Sequence, residues 1–283
     1  MILSLMLGGM MMQSFVAPGA EVVKLPGTYR FTEGPCWIQG DKLIFSDIPV
    51  SKIYAFDGKE VTVWRDGTEG ANGNTLDMKG NVWSCKHGSR SVDVYSADGS
   101  KKSVAVEFGG KKLNSPNDIA IHKSGAVVFT DPSYGIRDDQ MEQDGKYVYE
   151  LRDGKLRQIY KGRNQPNGVV FSPDGKTLYV ADSGDGGIEI FDYTPGGALK
   201  NGKHFDLPGP DGVRVDQSGR LWAACGDGVN VYSPSGELLE NIKFPEQPAN
   251  LCFGGKDGNV LFVTARKGVY SLKLAVRGVM PGF

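Results

Sequence analysis

Asn167-Gly168-Val169-Val170-Phe171 leads through a Pro-Asp-Gly turn into Thr177-Leu178-Tyr179-Val180-Ala181-Asp182, then into Gly187-Ile188-Glu189-Ile190-Phe191-Asp192. The first two runs are short, apolar and rich in β-branched and aromatic residues. The third alternates apolar and polar side chains, as a half-buried strand does. Gly175 between the first two supplies the positive φ that tight hairpins require. Nothing in the stretch has helical period, so it reads as three consecutive antiparallel strands opened by an Asn-Gly pair.

The same unit recurs on both sides. Its openings are Glu33-Gly34, Asn72-Gly73, Asn117-Asp118, Asn167-Gly168, Asp211-Gly212 and Asn250-Leu251, at spacings of 39, 45, 50, 44 and 39 residues. The second strands read LIFSD, NVWSC, AVVFTD, TLYVAD, RLWAAC and VLFVTA. The third strands read KIYAF, SVDVY, YVYEL, IEIFD, GVNVY and GVYSL, and more variable fourth strands such as VTVWRD follow. Repeats of about 40–50 residues with four strands each are the arithmetic of a propeller. The expected fold is therefore all-β: a six-bladed β-propeller of four-stranded antiparallel blades around a central channel. Glu21 to Leu25 is expected to supply the outer strand of the last blade and close the ring. Residues 21–283 read as one domain.

Composition agrees. The chain has 283 residues, 40 of them glycine, with 32 basic and 33 acidic side chains. Glycine at about twice its ordinary share of roughly 7% suits a chain of strands and turns. The balanced charge argues against a nucleic-acid partner. Residues 1–20 begin with an uncharged apolar run followed by Ala17-Pro18-Gly19-Ala20. They read as a signal peptide lacking its positive n-region or as a flexible extension, with export favoured over a cytoplasmic location. The run is short for a membrane span, and no later segment is a candidate. The cysteines at 36, 85, 225 and 252 form no CxxC pair and read as small buried hydrophobes, with a disulfide left open.

In a propeller the innermost strands line the channel, so the six opening residues should meet at one mouth. Glu33, Asn72, Asn117, Asn167, Asp211 and Asn250 would then form a ring of oxygen donors. Oxygen ligands suit Ca²⁺ first and Mg²⁺ second, while softer ions want Cys or His; Zn²⁺ and Mn²⁺ stay open as alternatives. Asn-Gly and Asp-Gly are also ordinary turn pairs, but Glu33 is a poor turn residue and repeats the position. A second ring is expected from the ends of the following strands, with Asp47, Lys86, His87, Asp131, Asp182 and Arg266 near the same mouth. Arg90 lies just beyond, and Asp131 to Gly135 reads as a loop over the channel. His122, at the far end of its strand, is expected to face solvent. No GxSxG nucleophile elbow and no P-loop occurs.

At these residues the chain resembles the SMP-30/gluconolactonase/luciferin-regenerating-enzyme-like family of calcium-dependent propeller lactonases. The resemblance rests on Thr32-Glu33-Gly34-Pro35, Cys85 to Arg90, Ser115-Pro116-Asn117-Asp118, Phe129 to Gly135, Pro166-Asn167-Gly168-Val169 and Pro210-Asp211-Gly212, in order. It implies a divalent cation held by Glu33, Asn167 and Asp211, with Asn117 as a fourth ligand or a substrate contact. It also implies Asp211 as general base. Asn72, His87, Arg90, Asn117 and Tyr134 are the expected substrate contacts. Mammalian-type members carry an Arg where this chain has Ser115, so their substrate does not transfer. The expected activity is opening of a small sugar lactone. Hydrolysis of another ester, an aromatic lactone or a phosphotriester is the alternative within enzymes. A non-enzymatic binding propeller is the alternative outside them.

Overall fold

The computed structural model describes residues 14–282. Six four-stranded antiparallel sheets follow one another around a ring. Blade 1 runs Thr32–Ile38, Lys42–Asp47, Lys52–Phe56 and Val61–Asp66 from the channel outward. Blades 2 to 5 repeat that order, with inner strands Ala71–Leu76, Ile119–Ile121, Pro166–Phe171 and Val213–Val215. Blade 6 takes Asn250–Gly254, Val260–Ala265 and Gly268–Lys273 from the C-terminal end of the chain and Val23–Lys24 from the other. Val23 pairs with Ser271 and Lys24 with Tyr270, so the ring is closed by strand exchange between the chain ends, as expected. Among the described residues helix is confined to two 3₁₀ turns, Ile48–Val50 and Asp138–Gln140. No described helix is long and apolar enough to cross a membrane.

Burial follows from blade stacking. The second strand of each blade is covered on both faces by neighbouring blades, so Leu43–Phe45, Val127–Phe129 and Leu221–Ala224 are buried without alternation. The outermost strands have one face in water and are largely exposed. Apolar contact is therefore between blades. Leu43 and Phe45 pack on Cys252, Phe262 and Val269 across the blade 1 and blade 6 joint. Trp222 of blade 5 meets Phe253 of blade 6 edge to face at 5.4 Å, with its indole N–H donating to Asp216 at 3.1 Å. All four cysteines are free and buried.

Two features were not anticipated. A short hairpin, Glu107–Phe108 with Lys111–Lys112, precedes blade 3. The other is the C-terminal tail, which crosses the end of the channel away from the opening residues. Val279 N–H donates to the Val215 carbonyl of blade 5, and Gly282 lies against Leu76 and Asp77 of blade 2. The expectation of a signal or extension falls partly outside the described residues. Of those described, Val16 bridges to Leu274, and Phe15 lies under the Arg220 guanidinium at 4.5 Å.

Trp222 is fully buried and spans two blades. Trp222→Ala is expected to lower unfolding free energy by about 3–5 kcal/mol, read as a lower urea midpoint at unchanged m-value.

Candidate metal and active site

In blades 1, 2 and 4 the register between inner and second strand slips at the opening residue or directly after it: between Glu33 and Cys36, Ala71 and Asn74, Pro166 and Val169. Such a bulge inserts unpaired residues and re-aims their side chains. Asn117 and Asp211 stand just ahead of their regular strands and are pinned by backbone bonds to Thr130 and Ala224. The glycine after the opening residue serves a close approach between blades. Gly73 N–H donates to the Asn117 carbonyl at 2.8 Å, and Gly168 N–H to the Asp211 carbonyl at 3.1 Å. A Cβ on Gly168 would stand 2.4 Å from that Asp211 oxygen. Ser46 and Thr130 hydroxyls reach the Asn72 and Asn167 carbonyls of the next blade, each at 2.7 Å.

The second ring does not form as expected. Asp47, Asp131 and Asp182 turn their carboxylates onto backbone N–H groups just ahead of the same blade's inner strand. Asp131 accepts from Asn114 and Ser115 at 2.8 and 2.7 Å, and Asp182 from Asn164 and Gln165, both at 2.8 Å. Asp47 does the same for Arg30 and Phe31. These carboxylates hold the chain that presents Glu33, Asn117 and Asn167. Lys86 is fully buried and ion-paired to Asp93 at 2.6 Å. Arg266 bonds Gln247 and sits over Phe31.

Glu33, Asn72, Asn117 and Asn167 are buried, while Asp211 is only half-buried. Asn250 departs from the expected ring of six donors, because its Oδ1 accepts from the Leu251 N–H at 2.8 Å. The Oδ1 atoms of Asn72, Asn117 and Asn167 are buried with no hydrogen-bond partner. Two of the amide nitrogens are held: Asn72 Nδ2 lies 3.0 Å from His87 Nε2, and Asn167 Nδ2 donates to Ser183 Oγ at 2.9 Å. His87 and Ser183 each follow the last residue of their blade's second strand. They leave both carboxamide oxygens unpaired.

Burial raises the Glu33 carboxyl to about 7, opposed by its bond from Gly34 N–H and assisted by nearby Asp118. Burial and the Glu33 charge push Asp211 well above the ordinary carboxylate range. Orphaned acceptor oxygens and two mutually repelling carboxylates fit a hard divalent cation. The described residues hold no cluster of three His, Cys, Asp or Glu side chains, so the carboxamides must complete any such ligand set. Glu33, Asn117, Asn167 and Asp211 supply two carboxylates and two of the orphaned oxygens.

Burial lowers the His87 imidazole to about 4, so it is neutral at physiological pH. Tyr134 is 47% exposed, with its phenol beside Ser183, Asp211 and Asn167. Ser115, standing where the mammalian-type pattern has Arg, accepts from Gly135 N–H at 2.8 Å and so fastens the Asp131 to Gly135 loop. Arg90 is engaged with the segments around blade 3. It takes a left-handed backbone, donates to the Leu113 carbonyl at 2.6 Å and pairs with Glu142 at 3.4 Å. His122 is buried, not solvent-facing. The turn of blade 3 packs against blade 4, where His122 bonds the Gly175 carbonyl at 3.1 Å, meets Phe171 edge to face and lies tilted against Tyr193. Sequence reasoning passed over Asp118 and Arg214, which pair at 3.1 Å in the channel beneath the ring. Asp118 was read only as the second half of a turn dipeptide.

The family model described as SMP-30/Gluconolactonase/LRE-like region matches residues 31–267. A gluconolactonase of Zymomonas mobilis is 32% identical, covering 88% of this chain and 80% of its own. Human regucalcin is 25% identical, covering 87% and 86%. A solved gluconolactonase of Xanthomonas campestris is 33% identical, covering 92% of this chain and 91% of its own at a TM-score of 0.86.

By NMR, the His87 imidazole is expected to show no titration above about pH 5.5. Asn72→Asp places a carboxylate against it and should raise its midpoint by about 1–3 pH units.

Proposed function

The chain belongs to the SMP-30/gluconolactonase/LRE-like family, and on that premise we propose that it is a metal-dependent lactonase opening a sugar lactone of the glucono-1,5-lactone type. One observation supports the metal most directly: the unpartnered carboxamide oxygens at the mouth that also presents Glu33 and Asp211. Ca²⁺ suits this all-oxygen set best, ahead of Mg²⁺, Mn²⁺ or Zn²⁺. When bound by Glu33, Asn117, Asn167 and Asp211, it would supply Lewis acidity toward the lactone carbonyl.

The protein groups have distinct tasks in this reading. Glu33 is buried and serves as a fixed ligand. Asp211 is the carboxylate within reach of solvent, so it takes the proton from a water attacking the carbonyl carbon. Collapse of the tetrahedral intermediate breaks the bond to the ring oxygen, which leaves with that proton as a hydroxyl. The product is the open hydroxy acid. Asn72 and Asn117 offer hydrogen bonds to ring hydroxyls or the carbonyl. Neutral His87 holds Asn72 in place without adding charge. The Tyr134 phenol forms part of the outer wall. Arg90 braces blades 2 and 3 through Leu113 and Glu142 and shapes the site from behind.

Chelator-treated protein is expected to lose hydrolysis of glucono-1,5-lactone in a pH-stat and to regain it with Ca²⁺. Asp211→Asn should lower kcat by about 10²–10⁴-fold, and Glu33→Ala should abolish Ca²⁺ binding in calorimetry. Full activity in both variants would sink the assignment. A panel of sugar lactones, aromatic lactones and phosphotriesters reads out substrate class.

A further inference from the structure

A cavity lies away from the ring. It occupies the other half of the channel, below the Asp118–Arg214 pair, and encloses about 200 Å³. An apolar cavity of about 150 Å³ takes benzene, so this one has room for a six-carbon chain or ring with a polar end. Pro35, Ile119, Val169, Phe171, Phe253 and Met280 give it apolar walls. The C-terminal tail spans its lower side, and exposed Met78 and Lys123 stand at the rim.

The charged side chains of this compartment, Arg214 and Lys123, are both cationic, and Asn74, Thr75 and Ser172 add neutral polar groups. Its ionisable lining side chains are Arg214, Lys123, His122, Cys36 and Cys252, and no carboxylate is among them. Arg214 Nη1 bonds Asp118 Oδ2 at 3.1 Å and the Val213 carbonyl at 2.7 Å. Its Nε and Nη2 make no hydrogen bond among the described residues, although the side chain is only 13% exposed. Neither donor is sealed from solvent-sized space, so an incoming carboxylate oxygen can take a charge-assisted hydrogen bond from either. His122 already bonds Ser124 and Gly175 and does not compete for that oxygen.

We infer that the lower channel is a second ligand site, separate from the ring, for a small apolar carboxylate whose tail fills the cavity and whose oxygens reach Arg214. Calorimetric titration of Ca²⁺-supplemented full-length protein with hexanoate should show one saturable site. Hexan-1-ol, with the same tail and no charge, should bind about ten- to hundred-fold more weakly. Ala120 lines the cavity outside the ring, so Ala120→Phe should abolish hexanoate binding and leave lactone hydrolysis unchanged. A measurement on the unaltered chain guards against a variant that fails to fold. Hexanoate should slow modification of Cys36 and Cys252 by methyl methanethiosulfonate and leave Cys85 and Cys225, buried outside the cavity, at their own rates. Absence of saturable binding, hexanol binding as tightly as hexanoate, undiminished binding in Ala120→Phe, or protection that does not distinguish the two cysteine pairs would each overturn the proposal.

Discussion

The structure depends on the approach of one blade's backbone to the next at the channel wall. The N–H after an opening residue donates to a carbonyl of the following blade, from Gly73 to Asn117, Gly168 to Asp211 and Gly212 to Ala249. Each bond is worth only about 0.5–1.5 kcal/mol net. Its importance is geometric, because it sets the channel radius and brings side chains from separate blades to one mouth. A side chain at the glycine would push the blades apart: a Cβ on Gly34 would collide with the Asn72 carbonyl, and one on Gly212 with the Asn250 carboxamide. Strand exchange at blade 6 then closes the ring, so no blade can drift outward independently.

That closeness creates an electrostatic problem at the mouth. Glu33 and Asp211 face one another in a place where burial disfavours charge, and both are raised in pKa as a result. Arg214, the cation beneath them, is already bonded to Asp118. Carboxamides that could have offered N–H groups are instead turned oxygen-inward by His87 and Ser183. A protein selecting only for stability would orient these amides the other way, since unpaired buried acceptors and like charges both destabilise. A bound divalent cation resolves both penalties at once, which ties the stability of the ring to the chemistry proposed for it.

The periodic part of this design was open to reading in the sequence. Six turn dipeptides in register, each followed by a β run, identify blades, and the register alone brings Glu33, Asn117, Asn167 and Asp211 to one mouth. What escaped was set by contacts between blades, which periodicity does not encode. Asp47, Asp131 and Asp182 recur at strand ends just as a ligand ring would, yet their carboxylates cap backbone N–H groups. Asn250 matches the repeat but turns its oxygen onto Leu251. His122 sits in a turn that looks solvated until blade 4 packs over it. Arg90 lies next to the site in sequence, but its side chain bonds the Leu113 carbonyl and Glu142.

The Asp118–Arg214 pair explains how one channel can hold two unlike environments. Burying an ion pair offers little stability over an apolar substitute, whereas losing one partner alone costs about 3–5 kcal/mol. Its value here is as a partition. Asp118 Oδ2 takes Arg214 and the Val169 N–H, bridging blade 3 to blades 5 and 4 across the channel, and its Oδ1 is left without a partner. Above the pair stand carboxylates and carboxamides, and below it the walls are mostly aliphatic chains, Phe rings and thiols, with no carboxylate among them. An apolar plug would separate the two halves equally well, but it would remove Asp118, whose charge helps raise Glu33, and with it part of the negative field that favours a cation at the mouth. The same plug would remove the guanidinium donors that face the lower cavity, so the pair gives each half of the channel its own ligand preference.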